Sequence, residues 1–173
     1  MVPAATTTSP RCSIARSLEV LGEKWTLLVV REAFWGATKF SDFTASLSVS
    51  TDILSARLAT LVDAGVFERR SYRENGSRER FSYHLTESGL ELRVLLAAFT
   101  EWGDRYRPNE LGPATLYRDR ASQAPVHLAF VSATGEVLDE TAVETIRGPG
   151  SERPLGAVQI GSVPTGAAPR LEP

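Results

Sequence analysis

The sequence predicts a mainly α-helical fold that carries one small β-hairpin, an α+β arrangement with a short β-rich extension at its C-terminal end. Apolar residues recur at helical spacing in five successive segments before residue 107. One pair of segments with period-two alternation lies between the fourth and the fifth of them. The length of 173 residues suits one domain with a core and a small appendage.

The first two helices are predicted over 13–21 and 24–35. Ile14, Leu18 and Leu21 lie on one face of the first helix. The second segment is apolar on nearly all sides, which is typical of a buried helix, and Gly36 ends it. We therefore expect the second helix to be buried nearly all round.

The next two helices form a close pair over 39–47 and from Ser50 to about Ala64. The Ser50 hydroxyl is placed to cap the later helix, and Gly65 follows its end. One side of this helix is apolar, with Leu54, Leu58, Leu61 and Val62. The opposite side is small and mostly polar, with Thr51, Asp52, Ser55, Ala56 and Ala59. A helix with such a face can approach another surface closely.

Period-two alternation over 66–72 and 81–85 predicts two antiparallel strands joined by a turn at Asn75-Gly76. The hairpin is rich in arginine: Arg69, Arg70, Arg73, Arg78 and Arg80. Thr86 then caps a long amphipathic helix that reaches about Tyr106. Its apolar stripe is broad enough to pack against more than one partner.

We divide the chain into four parts: a disordered lead over 1–10, a main domain over 11–107, a small β-rich extension over 108–150 and a flexible tail over 151–173. In the extension, segments 126–132 and 136–138 flank a weak hairpin signal at 133–135. A third strand is predicted over 141–147. Repeated Gly and Pro after residue 148 favour an unstructured tail.

Helix, helix, strand, basic hairpin and strand follow one another in the order of a winged helix-turn-helix. In that fold the second helix of the pair enters the major groove of duplex DNA, and the hairpin, or wing, lies along phosphates. We therefore expect double-stranded DNA as the partner. The expected contact residues are Lys39, Ser41, Ser50, Thr51, Asp52, Ser55, Arg73, Arg78 and Arg80. Arg57 either contacts phosphate or braces the fold, and Asp52 is expected to orient a nearby arginine.

Composition excludes several other classes of protein. No apolar run approaches the roughly 20 residues of a membrane span, and the N-terminal residues lack the pattern of a signal peptide. The single cysteine, Cys12, excludes an internal disulfide framework and fits a reducing compartment, so we expect a cytoplasmic protein. No nucleophile elbow, phosphate loop or metal-ligand cluster occurs. We therefore expect neither an enzyme nor a cofactor or metal site.

Several motifs resemble those of the HxlR-type branch of the MarR-like winged-helix regulators. They are the run over 12–28, Arg31-Glu32, and the segments over 39–43, 50–58, 65–69 and 83–89. The resemblance covers residues 11–106 in one register. It implies a homodimer built from the first and last long helices, bound to a pseudo-palindromic operator as a repressor. Release would follow a small ligand or a change at Cys12.

The resemblance also implies a sensor role for Cys12, because some members of this family sense oxidants or electrophiles with a cysteine at that position. Arg11, Arg16 and the helix start favour the thiolate there. An inert thiol near the dimer interface is the alternative. The region over 115–150 resembles an extension that carries zinc-ribbon cysteine pairs in some relatives; here it contains no cysteine, so we expect no zinc. For the whole molecule, the alternative is a winged helix that contacts only proteins.

Overall fold

The computed structural model describes residues 10–73 and 78–151. Within these ranges the helices are α1 (Ser13–Leu21), α2 (Lys24–Phe34), α3 (Phe40–Ser46), α4 (Thr51–Asp63) and α5 (Glu87–Tyr106). The strands are β1 (Phe67–Tyr72), β2 (Arg80–Leu85), β3 (Phe130–Val131) and β4 (Val137–Leu138). The predicted fold class, a winged helix-turn-helix, is confirmed. The predicted turn at Asn75-Gly76, most of the predicted lead and nearly all of the predicted tail lie outside the described residues.

The core is built around α2, which contacts α1, α3, α4, α5 and β2. Val29 and Val30 of α2 are fully buried. The predicted apolar side of α4 faces them, with Leu54, Leu58 and Leu61 buried and Val62 half-buried. Phe43 of α3 and Phe67 of β1 complete the centre, with their ring centroids 6.4 Å apart. The apolar spacing of α4 therefore correctly predicts which side of this helix is buried.

The wing is the antiparallel pair β1–β2, in register from Phe67 opposite Leu85 to Tyr72 opposite Arg80. One additional rung joins it to the start of α3. The Tyr83 N–H donates to the Thr38 carbonyl oxygen at 2.7 Å, and Lys39 pairs with Ser82 as an isolated bridge. The wing is therefore fixed to the helix-turn-helix as well as to the core.

The start of α5 is fixed against the end of the α4–β1 connection. Thr86 caps α5 by accepting a hydrogen bond from the Gly89 N–H at 3.2 Å, and its hydroxyl donates to the Gly65 carbonyl oxygen at 2.6 Å. A Cβ atom at Gly89 would lie 2.3 Å from the Val66 carbonyl oxygen. Only glycine allows this close approach of α5 to the backbone that precedes β1.

Contacts divide the described residues into two units, 13–128 and a second unit that contains residues 129–151 and 10–12. Residues 108–128 thus belong to the same unit as the five helices. The Leu128 N–H, for example, donates to Glu101 Oε1 on α5 at 2.9 Å.

In the second unit, β3 and β4 form the hairpin that the sequence predicts over 126–138, with Gly135 in its turn at φ +87°. The predicted third strand over 141–147 is wrong. A short 3-10 turn occupies Glu140–Ala142. Asp139 causes the difference, because its carboxylate accepts hydrogen bonds from both the N–H and the hydroxyl of Thr141. These bonds hold the pKa of Asp139 below its ordinary value and pull the backbone into a turn.

Candidate nucleic-acid interface

Helix α4 presents its small-residue side to solvent. Ser50 caps the helix, with its Oγ accepting a hydrogen bond from the Ile53 N–H at 3.4 Å, and Asp52 lies in the first turn. The residues that are expected to face bases are all exposed, as are the alanines beside them: Thr51, Asp52, Ser55, Ala56 and Ala59. The opposite side of α4 is buried in the core. A flat partner can therefore approach the exposed side of α4 closely, because the side chains there are short.

Ile53 also belongs to this surface, and it is not among the contact residues that the sequence predicts. It lies in the first turn of α4, and 41% of its surface is exposed. In the sequence, Ile53 can be recognised as an apolar residue that lies outside the buried stripe of α4. Leu54, Leu58 and Leu61 follow the helical spacing of that stripe, and Ile53 does not. An exposed aliphatic side chain thus lies among polar neighbours.

The start of α3 holds Lys39, Ser41 and Asp42. The Asp42 carboxylate accepts hydrogen bonds from the N–H groups of Lys39 at 2.8 Å and Thr38 at 3.1 Å. The bond from the Lys39 N–H is the main reason that the pKa of Asp42 lies below its ordinary value, and partial burial opposes the shift. Asp42 thus occupies the N–H groups of Thr38 and Lys39, and the side chains of Lys39 and Ser41 are the predicted phosphate contacts at this helix end.

Lys39 is held beside the wing. Its ammonium lies 5.1 Å from the centre of the Tyr72 ring, within the range of a cation–π interaction. Tyr72 is the last residue of β1, opposite Arg80. The contact therefore places Lys39, a predicted phosphate ligand, next to the wing. The wing carries three further predicted ligands, Arg73, Arg78 and Arg80.

The arginines of the wing fall into two groups. Arg69 lies over the Phe81 ring at 4.1 Å, and Arg70 pairs with Glu68, so both take part in contacts along the strands. Arg73, Arg78 and Arg80 lie farther out, and all three are exposed. They flank the tip of the hairpin, which is where a phosphate backbone would be met.

Arg57 contacts the protein itself. Its Nη1 lies 3.7 Å from Glu23 Oε2, at the residue that precedes α2, and its side chain is half-buried. Of the two roles that the sequence leaves open, this contact favours the brace between α4 and α2. A pair at this distance with an exposed glutamate contributes little stability.

Helices α1 and α5 carry apolar side chains that the described chain does not cover. On α1, Ile14 and Leu18 are exposed. On α5, Leu92 and Leu96 pack on the core, whereas a second stripe at i, i+4, i+7 and i+11 is exposed: Leu95, Phe99, Trp102 and Tyr106. Isolated apolar residues are ordinary on protein surfaces, but a continuous aromatic stripe marks an interaction site.

Another feature of α5 is a shallow cavity of about 130 Å³ on a different side of the helix. Val94 and Ala97 of α5 line it together with Val126 and Leu128. Glu101 lies at its edge, 3.7 Å from His127 Nδ1. Cys12, which the sequence leaves open as a sensor or an inert thiol, is exposed. In the ranges 10–73 and 78–151, no helix has the length and apolar content that crossing a membrane requires.

Residues 20–111 match the model of the HxlR-like helix-turn-helix family. The uncharacterized HTH-type transcriptional regulators Rv3095 of Mycobacterium tuberculosis and Mb3122 of Mycobacterium bovis are each 42% identical to the chain over 101 residues. The aligned region is 58% of this chain and 63% of each relative, so the chain spans less than two thirds of their length.

Solved structures show the same fold. PA1607, described as a candidate transcription factor, is 34% identical, with a TM-score of 0.67 over 79% of this chain and 95% of that protein. PA1374 of Pseudomonas aeruginosa is 35% identical, with a TM-score of 0.58 over 81% of this chain and 94% of that one. The redox regulator HypR in its oxidised form is 27% identical, with a TM-score of 0.50 over 56% and 98%.

Proposed function

The chain belongs to the HxlR-like helix-turn-helix family, and we propose that it is a cytoplasmic transcription regulator that binds duplex DNA as a homodimer and represses from a pseudo-palindromic operator. One observation carries the proposal. The small side of α4 is exposed and the opposite side is buried, while the wing beside it bears exposed arginines on both sides of its tip. This arrangement fits a helix in the major groove and a hairpin on the adjacent backbone.

Charge supports the proposal even though the net charge of the chain is −2. Phosphates interact with charges within about 10 Å at ordinary salt, so a local cluster matters more than the total. Arg73, Arg78 and Arg80 form such a cluster, and Lys39 lies next to it through Tyr72. The acidic Asp52 lies in the first turn of α4, where the helix dipole stabilises it.

The exposed apolar stripes of α1 and α5 support the homodimer. Trp102 is 57% exposed, and its ring packs against that of Tyr106 in a tilted arrangement with the centroids 5.6 Å apart. A symmetric pair of such stripes would bury aromatic area that the single chain leaves in water. The dimer would then present two copies of α4 to two half-sites of one operator.

We place release from DNA at one of two sites. One is the shallow cavity beside α5, where a ligand would contact the helix that also carries the dimer stripe. The exposed Cys12 is the other site, and the likeness to the redox regulator HypR supports it. Oxidant that weakens DNA binding by the wild type but not by Cys12→Ser would assign release to the thiol.

Salt dependence of DNA binding tests the proposed function. Arg78→Ala and Arg80→Ala should each weaken binding to every sequence and reduce the slope of log K against log salt by about 1, because each removes one phosphate contact. Substitutions at Thr51 or Ser55 should instead change which bases are preferred. Arg118→Ala is the matched control, since Arg118 is exposed but lies after α5. Fluorescence anisotropy with labelled duplexes measures all of these.

An unchanged slope in both wing variants would contradict the role of the arginines. Binding of a protein partner without any affinity for duplex DNA would contradict the proposed function as a whole.

A further inference from the structure

We propose that Ile53 contacts the 5-methyl group of a thymine in each half-site and thereby sets a base preference of this protein. The inference rests on the proposed function, because it concerns the same surface of α4. It adds an apolar contact to a surface whose other expected base contacts are polar, namely Thr51, Asp52 and Ser55.

The position of Ile53 is the first step. It is the third residue of α4, counted from Thr51, and the N-terminal residues of a recognition helix are the ones that reach base edges. Its N–H is already bonded to the Ser50 hydroxyl, so only its side chain is available to a partner.

The direction of the side chain is the second step. Consecutive residues of a helix are about 100° apart, so Ile53 lies beside the buried stripe that begins at Leu54, and it is not part of it. Ile53 is absent from the core cluster of the described residues and keeps 41% of its surface exposed. Ala56, three residues later, lies on the same side and is also exposed. Together they make a short apolar strip at the beginning of α4.

The chemistry of the major groove is the third step. Thymine is the base that presents a methyl group there, and aliphatic contact is the way in which proteins recognise it. The Ile53 side chain has no hydrogen-bonding group, so polar base edges would lose water against it without compensation. Contact between Ile53 and a thymine methyl group instead removes apolar surface of both groups from water. Burial of one methyl group corresponds to about a fourfold change in affinity.

Deoxyuridine provides the test, because it differs from thymidine only by the missing 5-methyl group. An operator is first obtained by selection of wild-type protein on random duplexes, and each of its thymidines is then replaced singly by deoxyuridine. For the wild type, we expect the Kd to rise about fourfold at one position of each half-site. For Ile53→Ala, thymidine and deoxyuridine should bind equally at that position, whereas Ile53→Val should retain most of the difference.

Leu90→Ala is the matched control, since Leu90 is an aliphatic residue that is 49% exposed on α5 and does not belong to the proposed DNA-binding surface. This variant should keep the full effect of deoxyuridine. Thermal unfolding of Ile53→Ala verifies that the fold is intact. The inference is overturned if no thymidine replacement affects the wild type, if the half-sites contain no thymine, or if Ile53→Ala shows the same loss as the wild type. Failure of the wild type to select any duplex would contradict the proposed function instead.

Discussion

Asp42 fixes the residue at which the helix-turn-helix begins. Its carboxylate accepts hydrogen bonds from the backbone N–H groups of Thr38 and Lys39. The same two residues form the rung that joins the start of α3 to the wing. One side chain therefore stabilises both the first turn of α3 and the strand segment before it. Such a side chain typically contributes about 1 kcal/mol.

We expect Asp42→Ala to lower the free energy of unfolding by about 1 kcal/mol at neutral pH. Since the folded-state pKa of Asp42 is lowered from 3.8, the carboxylate stabilises the fold above that value, and the contribution is lost as the pH falls through the lowered pKa. The difference between wild type and variant should therefore shrink below about pH 4. Chemical denaturation at neutral and acid pH measures it, and an equal difference at both would contradict the role. Asp42→Asn, which keeps an acceptor oxygen, should be intermediate.

Individual residues differ in how much of their role the sequence predicts. The cap at Ser50 and the cap at Thr86 follow from residue type and position, and both are confirmed. The contact of Arg57 with Glu23 and the stacking of Lys39 on Tyr72 join residues that are distant in sequence. Local patterns do not contain such contacts, because they depend on how the elements pack.

Among the elements, α5 combines three surfaces on one helix. Leu92 and Leu96 contact the core, Val94 and Ala97 line the cavity, and the stripe that includes Phe99 and Trp102 remains exposed. Residues three or four apart lie on the same side of a helix, so Val94 and Ala97 lie together. The exposed stripe lies next to the core side, because Phe99 is three residues after Leu96. The exposed stripe is the surface that we assign to dimerisation.

Trp102→Glu should convert the protein to a monomer at micromolar concentration, because a carboxylate in the centre of an apolar interface would lose its water. Affinity for a two-site operator should fall by 10-fold or more, since each half-site would then be bound independently. Sedimentation equilibrium measures the first effect and anisotropy the second.

Val94→Glu is the matched control, because Val94 is even more exposed, at 64%, and lies on the cavity side of the same helix. This variant should remain a dimer. A dimeric Trp102→Glu protein, or equal dissociation of both variants, would contradict the assignment of the stripe.

The predicted elements are most accurate where the apolar periodicity is long. Each predicted helix agrees with the structure to within about two residues, and so do β1 and β2. The prediction fails over 141–147, where a single side chain, Asp139, replaces a strand by a turn. It also omits the rung between Thr38 and Tyr83, because one pair of residues leaves no periodic pattern in the sequence.

For the whole molecule, the proposed function requires that two copies of α4 bind one DNA duplex. The single chain supplies the exposed face of α4, the basic wing and the apolar stripes of α1 and α5. The fold and the family can be predicted from the sequence of one chain. The dimer and the operator cannot, because they depend on contacts with other molecules. The contact residues Lys39, Ser41, Thr51 and Ser55 accordingly stay predictions until DNA binding is measured.

Selection of wild-type protein on random duplex DNA would show whether two copies of α4 bind one operator. We expect an inverted repeat whose half-sites are centred about one helical turn, roughly 10 base pairs, apart, because a two-fold dimer places its recognition helices in successive major grooves. Enrichment of a single site without symmetry, or no enrichment at physiological salt, would contradict the account.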